Sequence, residues 1–149
     1  MFKRSKYLLS SMGLASVLYA VALPGAAANL PAVQHYAGNT FITGGIGLDE
    51  STAMRGEMKN WPLAMLFAQK QGQGAEYVAD VHVVLTDHKG HAAIDAVSQG
   101  PFMLASVQPG TYQLAATLGN KTLHQTVNVK KDKSAKVSFI WPVGTGAMH

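Results

Sequence analysis

"TYQLAATLGNKTLHQTVNV", residues 111–129, decides the reading of this chain. Its first half places Tyr112, Leu114, Ala116 and Leu118 at every second position, with polar or small residues between them. Gly119-Asn120 then interrupts the alternation for two residues, as a hairpin connector does. The second half returns with Leu123, Val127 and Val129 in the inward phase. A period of two with one wet face is the pattern of an antiparallel strand pair packed on a core.

Outward from this hairpin the pattern repeats. "QPGT", 108–111, has proline second and glycine third, which predicts a type II turn. "KVSFIW", 136–141, places Val137, Phe139 and Trp141 inward. Upstream, "YVADVHVVLT", 77–86, reads as one strand with Tyr77, Ala79, Val81, Val83 and Leu85 on one side. "DHKG" at 87–90 predicts a type I turn. "AAIDAVS" and "FMLASV" read as two shorter strands separated by Gln99-Gly100-Pro101. "PLAMLFAQ", 62–69, is apolar at nearly every position, which predicts a strand buried on both faces. The fold expected is mainly β, an antiparallel β-sandwich of about seven strands, with one helix near its front. The sandwich spans 40–141 and the helix 50–61, stopped by Pro62. Met54, Met58 and Trp61 share one face of that helix. Residues 29–39 are expected to be a flexible lead-in and 142–149 a flexible tail.

The first 28 residues carry Lys3, Arg4 and Lys6, then an apolar run from Leu8 to Leu23, then Pro24-Gly25 and Ala26-Ala27-Ala28. This order is that of a secretory signal peptide cleaved after Ala28. The run is shorter than the roughly 20 apolar residues of a membrane span. The expected mature protein is therefore periplasmic or secreted, with no stable membrane anchor. Three of the twelve basic residues leave with the leader, so nine remain against eight acids. That near-balance gives no reason to expect nucleic acid. The absence of cysteine excludes disulfides and leaves burial to stabilise the domain.

From Tyr77 to Trp141 the chain resembles a carboxypeptidase regulatory-like domain, the transthyretin-like (prealbumin-like) sandwich. The residues that carry the likeness are "ADVHVVLTDHKGH", "GPFMLASVQPGTYQLAATLGNKTLHQTVNV" with its Pro-Gly-x-Tyr turn, and "VSFIW". The resemblance implies a fold and supplies no catalytic residue.

Three kinds of site remain to be weighed. "ITGGIGLDE", 42–50, looks like a phosphate loop before a helix, but its glycine spacing fits neither dinucleotide nor Walker patterns. Asp49 and Glu50 occupy the helix end that an anion would need, Asp49 as expected N-cap and Leu48 packing on Ala53 as a hydrophobic staple. Histidines are the second kind. His82, His88 and His91, with Asp80 and Asp87 nearby in sequence, are the candidate metal ligands. His124 and His149 read as solvated. Met54, Met58 and Met65 fit core packing better than copper. Third, Lys130-Lys131-Asp132-Lys133 reads as a solubilising turn. There is no GxSxG and no thiol nucleophile, and Glu50 and Glu57 read as solvated acids, so no catalytic residue and no cofactor are expected. The expectation is a non-enzymatic binding or accessory module with a protein or carbohydrate ligand in the cell envelope. The alternatives are a metal-binding protein using the three histidines, or a structural partner offering an edge strand.

Overall fold

The alternating hairpin forms as its pattern dictates. In the computed structural model, which describes residues 30–147, strands β8 (Gly110–Leu118) and β9 (Lys121–Val129) pair antiparallel, with Leu118 opposite Lys121 across the Gly119-Asn120 turn. Tyr112, Leu114, Ala116, Leu118, Val127 and Val129 are buried. β5 (Val81–Thr86) lies on the other side of β8, and β6 (Ala92–Ser98) beyond it, giving a four-stranded sheet in the order β6-β5-β8-β9. Its outer face is wet and carries polar pairs, including Thr117 with Thr122 at 2.7 Å and Thr126 with Gln113 at 3.0 Å.

The second sheet has six strands. β1 (Gln34–Tyr36), β2 (Asn39–Gly44), β7 (Phe102–Ser106), β3 (Leu63–Gln71) and β10 (Ala135–Trp141) follow in that order, and β4 (Gly74–Tyr77) pairs with the far end of β3. The inner residues of this sheet, among them Phe41, Leu63, Met65, Phe67, Met103 and Phe139, meet those of the first in one core. Its outer face holds a second cluster of Ile42, Ala64, Phe102 and Leu104 beneath Met54 of helix α1 (Leu48–Glu57). This explains why β3 is apolar at almost every position: one side faces the sandwich core and the other lies under the helix.

The two sheets are tied along their flanks. On one flank Gln125 Nε2 donates to Ser138 O at 2.7 Å and Trp141 Nε1 to Lys121 O at 3.0 Å. On the other, Asn39 Nδ2 donates to Ala93 O at 3.0 Å.

Several expectations need correction. Among the described residues the sandwich has ten strands rather than about seven, and one pair, β3 with β10, is parallel. The run 77–86 is not one strand. Tyr77 ends β4 in one sheet, Val81 begins β5 in the other, and Asp80 turns between them with φ 61°. Tyr77 is accordingly 48% exposed rather than in the core. The lead-in contains β1, joined to β2 by a tight turn in which Ala37 and Gly38 both have positive φ. The helix ends at Glu57 and tightens into a 3-10 turn over Met58–Asn60, leaving Trp61 extended before Pro62. The tail is not free as far as residue 147. A 3-10 turn, Thr145–Ala147, docks through Gly146 N donating to the buried Gln69 Oε1 at 2.8 Å. The leader, the cleavage site and His149 lie outside the described residues.

Candidate functional site

The glycine segment resolves into a self-filled turn. After β2 the chain bends through Gly45, at φ 102°, and Gly47, at φ 89°. Both values lie where a Cβ is strained, which accounts for the glycines there. The amides so exposed are taken by the protein's own acid: Gly45 N donates to Glu50 Oε1 at 2.7 Å and Ile46 N to the same oxygen at 3.4 Å. The expected division of labour between the two acids is thus corrected. Asp49 caps nothing, because Gly47 occupies the N-cap without a side-chain bond, and Glu50 reaches backward from the first turn instead. The staple is also absent, since Leu48 is 81% exposed. Replacing Glu50 by alanine strands a part-buried amide and is expected to cost about 1–3 kcal/mol. Urea denaturation of Glu50→Ala checks this, and a loss below about 0.5 kcal/mol places the anchoring elsewhere.

The structure does not bring the three candidate histidines together. His82 sits early in β5 on the wet face, with Nε2 2.6 Å from Asp95 Oδ1. From there to the end of β5 is four residues of extended chain, about 13 Å. His88 and His91 lie beyond that end, in the turn to β6. Among the described residues no group of three or more His, Cys, Asp or Glu side chains is arranged to hold a metal ion. Asp87 is committed to the turn itself: its Oδ1 accepts from Lys89 N and His91 N, each at 2.9 Å, and Gly90 N closes on Asp87 O at 3.0 Å. The bond from the His91 amide holds the Asp87 carboxyl below its ordinary range.

The open surface lies at the end of the sandwich where this turn emerges. Two clefts flank Pro109. One, of about 480 Å³, is lined by the Asp87–Ala93 turn, Asn39 and Tyr112. The other, of about 430 Å³, is lined by Lys59, Trp61, Pro62, Val107, Pro109 and the turn Lys130–Ser134. One hydrogen bond holds the ridge between them. Tyr112 Oη donates to Gln108 O at 2.6 Å, pinning the turn to the strand it feeds, in the manner of a tyrosine corner. Burial, and then the charge of Asp87, raise the Tyr112 phenol above its ordinary range. The expected type II turn is not formed: Gly110 already belongs to β8, with φ 156°.

The lysine side of the end is equally well fixed. Ser134 Oγ donates to Met58 O at 2.8 Å and Ala135 N to Pro62 O at 2.9 Å, clamping the β9–β10 turn onto the corner before β3. Asp132 adopts φ 60° at the turn's tip, with Lys133 N reaching Lys130 O at 3.4 Å. The result sets Lys130, Lys131 and Lys133 along the same cleft as Lys59, with Trp61 half-buried among them. The reading of this run as a solubilising turn missed that cleft. The local signal was two lysine-bearing corners, "KNWP" at 59–62 and "KKDKS" at 130–134; nothing local says that they meet.

The fold and this end together define the described residues as a two-sheet β-sandwich with one covering helix and a basic, cleft-bearing end. Compared with known proteins, it matches no family model and no curated relative. No described helix is long and apolar enough to cross a membrane.

Proposed function

We propose that this chain is a non-enzymatic binding or accessory module of the cell envelope, exported by its leader, whose ligand contacts the end of the sandwich around Pro109. The observation that carries the reading is the meeting of two open clefts at that one end, on turns clamped by Tyr112 and Ser134. Concave sites on rigidly held turns are where scaffolds of this kind place recognition. The side chains there suit binding better than turnover: lysines, half-buried Trp61, two prolines, and an Asp87 whose Oδ1 serves its own turn. The likeness of Tyr77–Trp141 to carboxypeptidase regulatory-like domains belongs to the same proposal, supported by the sandwich and its Tyr112 turn.

A second reading, an edge-strand partner, has one observation in its favour: among the described residues β4 pairs only with β3, and all four of its residues are exposed. Amide chemical-shift mapping separates the two. With a panel of envelope oligosaccharides and peptides as probes, shifts are expected at 59–62, 87–91, 108–110 and 130–134, with the probe recovered unchanged by mass spectrometry. Shifts confined to Gly74–Tyr77 favour the edge strand, and a chemically altered probe overturns the non-enzymatic reading.

A further inference from the structure

We infer that the lysine cleft binds an acidic polysaccharide, its carboxylates meeting the lysines and a sugar ring lying on Trp61. The inference rests on the proposed binding role of this end and names the ligand class. Charge is the first observation. Lys59, Lys130, Lys131 and Lys133 line the cleft, and Asp132 is its only acid. The described chain as a whole carries nearly as many acids as bases, so this is a local segregation of sign. On the other side of Pro109, Lys89, His88 and His91 line the neighbouring cleft, where the one acid, Asp87, has its Oδ1 engaged by two backbone amides of its own turn.

Shape and side-chain type narrow the ligand. Between the lysines lie Trp61, Pro62, Val107 and Pro109, an apolar floor within a charged rim. A pyranose ring offers an apolar C–H face to an aromatic surface and its charge at the edge, which matches a floor and rim of this kind. Lysine is a compact point charge on a flexible stem, without arginine's planar fork. Four of them at one cleft suit carboxylates repeated along a chain better than one phosphate gripped in a fixed geometry. Nucleic acid would also meet lysine and stack on tryptophan, but its single-strand sites use several aromatics in series. Here Trp61 is the only aromatic in the lysine cleft.

The test uses the mature chain and isothermal titration with oligogalacturonate as the acidic probe. Dextran oligomers of matched length are the neutral control, and inorganic polyphosphate and oligo-dT are the non-sugar anions. Saturable binding of oligogalacturonate is expected, weakening as salt is raised, with no binding of dextran. The triple variant Lys130→Gln, Lys131→Gln, Lys133→Gln is expected to bind roughly tenfold more weakly. Its circular dichroism should match the parent, since all three side chains are exposed. Trp61→Ala is expected to weaken oligogalacturonate and leave polyphosphate unaffected. Equal or tighter binding of polyphosphate or oligo-dT overturns the sugar assignment. Binding of dextran with chemical shifts in this cleft overturns the acidic assignment while the binding-module reading stands. If no probe of any kind perturbs this end of the sandwich, both fall.

Discussion

Gly100→Ala is expected to lower the unfolding free energy by about 3 kcal/mol or more, although the residue sits in a connection between two strands. The reason is a backbone-on-backbone contact. A Cβ at position 100 would lie 2.8 Å from Gly44 Cα and closer still to the Gly44 carbonyl carbon and oxygen. Neither partner can yield. Gly44 is paired with Phe102 at the end of β2, and the turn behind it is held by Glu50. On the other side, fully buried Ser98 places its Oγ 2.8 Å from Gly100 O and 3.3 Å from Phe102 O. Relief would require breaking the β2–β7 pairing, which also carries α1. Gly56→Ala is the control. It lies inside α1 with nothing within 4 Å of its would-be Cβ, so alanine there should stabilise by roughly 0.5–1 kcal/mol. Urea titrations of both variants decide the matter. A Gly100→Ala protein within about 0.5 kcal/mol of the parent would falsify the close approach.

That contact also marks where sequence reasoning ends. β8, β9 and β10 were legible because each has one wet face, so burial writes a period of two into the residues. β3 was legible as a doubly buried strand; its outer face is covered by Met54 of α1, with Met58 and Trp61 from the segment after the helix packed alongside. The break at Val78–Asp80 was not. Tyr77 and Ala79 continue the phase of Val81, and the crossover between sheets depends on Asp80 accepting a left-handed conformation, which aspartate tolerates without requiring it. β1 was missed because its turn places Ala37, a residue with no turn signature, at φ 49°. The parallel β3–β10 pair joins segments some seventy residues apart, and no local pattern encodes a partner at that distance.

The site was less legible than the fold for the same reason. The anion position after the glycines was correctly read as filled by the protein's own acid, but Asp49 and Glu50 are adjacent, and only the backbone course decides that Glu50 alone turns back. His82, His88 and His91 are close in sequence and are separated by strand geometry. Lys59 and Lys130–Lys133 are distant in sequence and are joined by two hydrogen bonds, from Ser134 to Met58 and from Ala135 to Pro62. Proximity in sequence therefore pointed to the histidines, whereas the assembled surface groups the lysines.

Trp141→Ala is expected to cost about 3–5 kcal/mol, enough to leave a domain of ordinary stability, about 5–15 kcal/mol, near its threshold. Trp141 is 0% exposed. Its ring lies 6.0 Å from Phe139, stacked, and 6.3 Å from Phe67, tilted, so truncation opens a void against both of these rings. One further loss accompanies the void. The indole N–H no longer reaches Lys121 O, a tie between β9 and β10 across the flank where the two sheets meet. Trp141→Phe retains an aromatic in the void and gives up only the hydrogen bond and part of the volume. It is expected to cost less than alanine, about 1–3 kcal/mol. The same variant has a second use. The chain holds two tryptophans, so Trp141→Phe leaves Trp61 as the sole indole emitter, and any change on adding oligogalacturonate is then assigned to the cleft. Should Trp141→Ala unfold at the same urea concentration as the parent with an unchanged slope, the aromatic cluster would not be the centre of the core. The joining of the two sheets along β9 and β10 would then need another source, with Gln125 to Ser138 the remaining side-chain tie on that flank.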